Sequence, residues 1–152
     1  MNSSLIYVKI ELEINDSKRK EVTYMKTRIF LNKNTNEVVL ILSGAQALGE
    51  GFVELKANTV DAAREKHVPN VEYEGNKIVA KVGSVRHPMT DDHSIQFIIL
   101  ETNKKTQIKY LTIQDEPEAV FYIDEGEKPV AVYEYCNLHG LWKYEMNFIL
   151  NE

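Results

Sequence analysis

Apolar and polar residues alternate along most of this chain, and the alternation predicts β-strands. From Ile6 to Ile14 every second residue is apolar, whereas the residues between them are mostly charged. A period of two is typical of a strand with one buried face, and the polar segment 15–18 then supplies a turn. The same signals predict ten further strands, at residues 27–31, 37–42, 52–56, 71–73, 78–82, 95–100, 107–111, 119–123, 130–135 and 141–146.

Turn residues separate many of these strands. Three short pairs, at 75–76, 103–104 and 125–126, lie between neighbouring predicted strands and favour hairpins. Many short strands at close spacing predict an all-β fold, either an antiparallel sandwich or a barrel.

One segment, 59–66, has a helical pattern instead. Asn58 or Thr59 is the expected N-cap, Asp61 falls in the first turn, and Pro69 prevents the helix from continuing far. We expect this short helix to deliver the residue that follows it, His67.

The length and composition suit a folded domain with a real core. The chain has 152 residues, of which 43% are hydrophobic. That is enough for one medium domain, or for a domain of about 100 residues with a small companion.

Charge and cysteine content narrow the functional classes. The formal net charge is −5, and Lys18-Arg19-Lys20 is the only basic cluster, so the sequence argues against a nucleic-acid partner. A single cysteine excludes an intrachain disulfide and suggests a reducing compartment. No apolar run of membrane-spanning length and no signal-peptide pattern is present, so we expect a cytoplasmic protein with no membrane partner.

The histidines and the cysteine are concentrated in three short segments. These are 65–69, 87–93 and 136–143, and they contain all four histidines and the one cysteine of the chain. Cys136 and His139 are three residues apart in a predicted turn, which is a common spacing of metal ligands. The set suggests one metal centre with four imidazoles and one thiolate. Taken singly, Cys136 also fits a buried small hydrophobic residue, and His67 or His93 a surface or hydrogen-bonded histidine.

In order and spacing, the three segments resemble the catalytic domain of the superoxide reductases, the neelaredoxin and desulfoferrodoxin group. The likeness runs from about residue 58 to 143 and includes the stretches 59–64, 81–85 and 131–135 that precede the three motifs. It implies an immunoglobulin-like, seven-stranded antiparallel β-sandwich, which we assign to residues 58–152.

The resemblance also implies a chemistry. It implies one-electron reduction of superoxide to hydrogen peroxide, as a defence against oxidative stress, at one mononuclear non-haem iron per chain. The implied ligands are four equatorial imidazoles and one axial thiolate, those of His67, His87, His93, His139 and Cys136. Lys66 would attract superoxide to the open sixth position, and Glu65 would bind the ferric iron after product has left. A rubredoxin-like protein would return the electron.

Residues 25–57 resemble the small desulforedoxin-like domain that precedes the catalytic domain in some relatives. Residues 48–56 are similar to the end of that domain, yet Ala47 and Leu48 stand where its Cys-Cys pair would fall. Leu31 and Asn34 likewise fall near its Cys-x-x-Cys pair. We therefore expect a metal-free domain at 25–57, preceded by an extension at 1–24 whose strand adds to a sheet in its own chain or in a homodimer partner.

Two other functional classes remain open from the sequence alone. One is a structural or binding β-sandwich whose site holds redox-silent zinc. The other is a non-catalytic protein that holds iron or senses redox state. Metal analysis separates the first from the enzyme, and the rate of reaction with superoxide separates the second.

Overall fold

The computed structural model describes residues 26–42 and 48–146. Its strands are β1 Arg28–Asn32, β2 Val38–Ile41, β3 Phe52–Glu54, β4 Pro69–Glu74, β5 Lys77–Val82, β6 Ile95–Thr102, β7 Thr106–Tyr110, β8 Glu118–Tyr122, β9 Pro129–Cys136 and β10 Gly140–Glu145. One short helix, α1 Arg64–His67, lies between β3 and β4. The predicted strand from Ile6 to Ile14 and the extension 1–24 lie outside the described residues.

Seven strands form a sandwich of two antiparallel sheets. One sheet has the order β4-β5-β8 and the other β10-β9-β6-β7. The facing sides of the two sheets bury one apolar core, which includes Ile78, Ala80, Val82, Ile98, Leu100, Phe121 and Val132. The all-β, immunoglobulin-like sandwich predicted from the sequence is confirmed. No helix in the described residues is long and apolar enough to cross a membrane.

A third sheet, of order β2-β1-β3, covers the outer face of the four-stranded sheet. Ile29 from β1 shares a second buried cluster with Ile99, Tyr133 and Tyr135, and Leu40 packs against this cluster. Strands β6 and β9 are therefore buried on both faces, which explains their nearly continuous apolar sequence.

The division of the chain into domains with boundaries after residues 24 and 57 stays a prediction.

The predicted helix 59–66 is wrong in extent, because only Arg64–His67 is helical. Asn58 is not a helix cap but has a left-handed backbone, with φ of 61°. Its side chain binds the edge of β10 instead: Oδ1 accepts from the Lys143 N–H (2.8 Å) and Nδ2 donates to the Lys143 carbonyl (3.0 Å). These long-range bonds hold the chain out of a helical path, which a local pattern does not reveal.

The hairpins at 75–76 and 103–104 join β4 to β5 and β6 to β7, as predicted. The hairpin prediction at 125–126 is wrong. That turn links β8 to β9, which lie in different sheets, so the chain crosses the sandwich there. A turn pattern shows where the chain reverses but not whether the next strand pairs with the last one.

Candidate metal centre

One end of the sandwich brings together the side chains of all three motif segments. His67 ends α1, His87 and His93 lie in the loop from β5 to β6, Cys136 ends β9, and His139 lies in the turn before β10. One ligand atom from each of these five side chains lies within 4.8 Å of the other four. Five residues spread over 73 positions of sequence thus converge on one point.

The β5–β6 loop is fixed against α1 by its first residues. Gly83 has φ of +74°, and a Cβ added there would lie 2.6 Å from the Glu65 carbonyl oxygen. The same carbonyl accepts a hydrogen bond from the Val85 N–H (2.9 Å). Only glycine permits both the left-handed backbone and this close approach, so Gly83 sets the position of the loop relative to His67.

The four imidazoles form a square. In the order His67, His87, His93, His139, neighbouring ring centroids lie 4.7, 4.5, 4.8 and 4.9 Å apart. The His67–His93 diagonal measures 6.4 Å. Such a square suits four equatorial nitrogens around one ion.

Two buried Nε2 atoms of the square have no hydrogen-bond partner in the described part of the chain, which indicates the kind of ligand that the site could bind. Nε2 of His87 and Nε2 of His93 are buried without a hydrogen-bond partner among the described residues. Nδ1 of His87 is already engaged, since it lies 2.6 Å from the Pro88 carbonyl and donates to it. Buried polar atoms normally have a partner, so the unpaired nitrogens fit a metal ion.

Cys136 lies on the core side of the square. It is fully buried, its Sγ accepts the His139 N–H at 3.4 Å, and Sγ lies 3.7 Å from Nδ1 of His139. Burial raises the pKa of the Cys136 thiol, although N–H groups of Leu138 and His139 oppose the rise. A coordinated metal ion deprotonates a thiol outright, so Cys136 would bind a metal at this site as a thiolate.

Burial keeps the imidazoles neutral and ready to bind metal. The pKa values of His67 and His87 are lowered to about 4, mainly by burial and also by the other imidazoles and the Lys66 ammonium, although the hydrogen bond to the Pro88 carbonyl opposes the lowering at His87. Burial also lowers the pKa of His93. Near neutral pH these three rings would therefore not need to lose a proton before binding a metal ion.

Glu65 and Lys66 lie on the solvent side of α1, next to His67. Both residues are exposed. Within residues 26–42 and 48–146, neither side chain forms a hydrogen bond or an ion pair. The Lys66 charge nevertheless acts on His67, His87 and His93, because it lowers the pKa of each.

Sequence reasoning missed the importance of Glu134. This carboxyl group is fully buried, with Oε1 3.3 Å from Nδ1 of His67, yet the two atoms are not aligned as a hydrogen bond. Burial raises the pKa of Glu134 well above its usual range. A signal was present in the sequence, because strand alternation places Glu134 on the same face as Val132 and Cys136.

Trp142 contacts two of the histidines. Its ring stacks on the His67 ring with centroids 4.8 Å apart and planes within 10°, and its Nε1–H donates to the His139 carbonyl (3.2 Å). Trp142 is fully buried, so a core residue packs directly against the site.

Comparison with known proteins gives a consistent result. The desulfoferrodoxin family model matches residues 59–145. A desulfoferrodoxin of Clostridium acetobutylicum is 42% identical over 123 residues, which cover 78% of this chain and 95% of the relative. A desulfoferrodoxin of Syntrophotalea carbinolica is 48% identical over 113 residues, which cover 72% of this chain and 88% of the relative. The crystal structure of superoxide reductase from Treponema pallidum is similar, with a TM-score of 0.67 and 35% identity, covering 80% of this chain and all of that one.

Proposed function

This chain belongs to the desulfoferrodoxin family, and from that membership we propose that it is a superoxide reductase. The reaction is the one-electron reduction of superoxide to hydrogen peroxide at a mononuclear non-haem iron. The observation that carries the proposal is the square of four imidazoles with a buried thiol beside it, in which one ligand atom from each side chain lies within 4.8 Å of the others.

The donor set fits iron, and we assign the ligands as His67, His87, His93, His139 and Cys136. Imidazole nitrogen suits iron among other transition metals, and a single thiolate raises the electron density on the metal. When bound, the iron supplies the electron that superoxide accepts. The N–H of His139 stabilises the charge on the Cys136 sulfur, while the surrounding core excludes water from it.

We assign to Lys66 the attraction of the substrate. Its ammonium group is exposed at the end of the fold where the imidazoles lie, and superoxide is an anion. The net charge of −5 is spread over the whole surface and is screened within about 8 Å at physiological salt. Local charge therefore decides whether the anion approaches, and Lys66 can also hold a water molecule that delivers a proton.

We assign to Glu65 a role after the reduction. Its carboxylate is exposed and next to His67 in α1, and a carboxylate oxygen is a suitable ligand for ferric iron. Glu65 is therefore available to bind the oxidised metal once product has left. It has no part in attracting the substrate, because its charge repels the anion.

The proposal includes an external electron donor. The chain has one cysteine, and the described residues contain one cluster that could hold a metal ion. A rubredoxin-like protein is the proposed donor, since a small one-electron carrier suits a one-electron reaction. A cytoplasmic location is also proposed, because a reducing compartment keeps a lone thiol free.

Metal content and the visible spectrum test the iron assignment. The protein is expected to bind one iron per chain and, when oxidised, to show a thiolate-to-iron charge-transfer band that disappears on reduction. Cys136→Ser should lose that band and keep the fold. A redox-silent zinc protein, or an unchanged band in Cys136→Ser, would refute the assignment.

A further inference from the structure

Asn137 joins two loops that carry metal-binding side chains. Its Oδ1 accepts the Ser94 N–H (2.9 Å) and its Nδ2 donates to the Asp92 carbonyl (3.3 Å). Its own backbone N–H donates to the Ser94 carbonyl (3.1 Å). Three hydrogen bonds thus attach the residues on either side of His93 to the turn that contains Cys136.

The ring of His93 has no such attachment of its own. Among the described residues neither of its nitrogens is hydrogen-bonded, and its Nε2 is buried. In contrast, the ring of His87 is held by the Pro88 carbonyl, and the ring of His67 lies between Glu134 and Trp142. The direction of the His93 ring therefore depends mainly on where its backbone lies.

Local bonds make the His93 turn compact but do not connect it to Cys136. Thr90 and His93 exchange two backbone hydrogen bonds, of 2.9 and 3.1 Å, and the Thr90 hydroxyl donates to the Asp92 carboxylate (2.8 Å). Pairing of β6 with β9 ends where Ile95 meets Cys136. Asn137 lies just beyond that end, and its side chain extends the connection to the far side of His93.

We propose that Asn137 is a positioning residue of the metal centre, which fixes the His93 imidazole relative to the Cys136 thiolate. The oxygen and the nitrogen of its carboxamide each bond to a backbone group, so we assign it a role through the two loops and not as a metal ligand. This inference rests on the proposed function, because it assumes that the five side chains bind one iron.

Two substitutions and a control variant test the proposal in the full chain. Asn137→Ala removes both side-chain bonds. Asn137→Asp retains an acceptor for the Ser94 N–H but loses the donor to the Asp92 carbonyl. The control is Asn103→Ala, because Asn103 also joins two segments through its side chain, whose Oδ1 accepts the Lys128 N–H (2.7 Å), but lies outside the metal cluster. The measurements are Fe(II) affinity by chelator competition, the rhombicity of the ferric EPR signal and the melting temperature of the metal-free protein.

Asn137→Ala should bind Fe(II) at least tenfold more weakly, equivalent to about 1.4 kcal/mol, and should change the EPR rhombicity. Asn137→Asp should lie between this variant and the wild type, and Asn103→Ala should match the wild type in Fe(II) affinity and EPR rhombicity. If Asn137→Ala does not fold, the same readouts on Asn137→Asp decide the matter.

Wild-type affinity and rhombicity in the Asn137 variants would overturn the proposal. So would a lower melting temperature of the metal-free protein with an unchanged EPR signal, because that result shows a purely structural role. Failure of the wild type to bind iron with a thiolate band would overturn the proposed function itself. If the wild type binds iron with a thiolate band and the Asn137 variants have wild-type Fe(II) affinity and EPR rhombicity, only the role of Asn137 is overturned.

Discussion

At the scale of single residues, Lys66 is the side chain on which the attraction of substrate depends. Lys66→Ala should slow the second-order reaction with superoxide by about tenfold, if about 1.4 kcal/mol of attraction is lost, and should flatten its dependence on ionic strength. Glu65→Ala should leave that step nearly unchanged and alter the resting ferric spectrum. Rapid mixing at several salt concentrations measures both effects.

Lys81→Ala is the matched control, because it changes the net charge equally but removes a lysine that pairs with Glu72 on another strand. If Lys66→Ala reacts at the wild-type rate with the wild-type salt dependence, the assignment of Lys66 is wrong.

Glu134 gives a second prediction at this scale. Burial raises the pKa of Glu134 in the metal-free protein, but the charge of a bound metal ion would favour its carboxylate. A carboxylate next to a metal-bound histidine raises the basicity of that ligand, and loss of such a partner typically costs about 10–100-fold in metal affinity or activity. Glu134→Gln should therefore retain the fold, weaken iron binding and raise the reduction potential. A redox titration measures the potential.

Glu101→Gln is the control for Glu134. Glu101 is also a buried carboxyl, but it accepts the Thr27 N–H and lies outside the metal cluster. Equal potentials in Glu134→Gln and the wild type would contradict the role of Glu134.

The sequence predicted some parts of the site and not others, for a physical reason. Five ligand candidates were recognisable because histidine and cysteine are chemically distinctive and because they occur in three short motifs. The contacts of Glu134 and Trp142 with His67 depend on strand register and on packing against α1. No local pattern contains that information.

At the scale of elements, the strands were predictable and the exceptions were long-range. All ten strands in the described residues were predicted, with ends that differ by up to two residues. The helix was overestimated because Asn58 binds Lys143, 85 positions away. The turn at 125–126 was misassigned because its strands pair in different sheets.

The three-stranded sheet gives a prediction at the same scale. A shortened chain that begins at Ala57 should bind iron and reduce superoxide, since the five assigned ligands all lie beyond that point. It should also melt at a lower temperature, because Ile99, Tyr133 and Tyr135 would lose their cover. Burial of each large apolar side chain contributes about 1.5–3 kcal/mol.

Calorimetry and gel filtration of the shortened chain measure its stability and its oligomeric state. The milder variant Ile29→Ala should show a smaller loss of stability in the full chain. If the shortened chain folds with its iron and does not react with superoxide, residues 1–56 have a catalytic role.

At the scale of the whole molecule, the metal-free protein should become less stable in acid. In the folded chain the pKa values of His67 and His87 are about 4, against a usual value of 6.5. Between these pH values the unfolded chain binds more protons, so stability falls as the pH falls from about 6.5 to about 4 and is unaffected by these groups above 6.5.

Melting temperatures of the metal-free variant Glu134→Gln between about pH 7 and 5 measure this effect, because the pKa of Glu134 is raised by burial and its protonation would oppose the decline, whereas most other acidic side chains titrate at lower pH. The double variant His67→Gln, Glu134→Gln should show a shallower decline than Glu134→Gln alone. A flat profile in Glu134→Gln would show that the imidazoles are not buried as described.

The overall architecture was predictable in outline, since many short strands and the resemblance together indicated a seven-stranded sandwich. The placement of the third sheet over β6 and β9 was not predicted. The mostly apolar sequence from Val130 to Cys136 indicated a strand that is buried on both faces. The sequence does not show which element packs against the outer face.

In the proposed reaction this protein reduces superoxide and does not dismutate it. The most direct measurement mixes the reduced, iron-loaded full chain rapidly with a known amount of superoxide and counts hydrogen peroxide, oxidised iron and molecular oxygen. We expect one peroxide and one oxidised iron for each superoxide consumed, with no oxygen released by the protein. Release of oxygen at half the superoxide consumed, or iron that stays reduced while superoxide decays at its spontaneous rate, would contradict it.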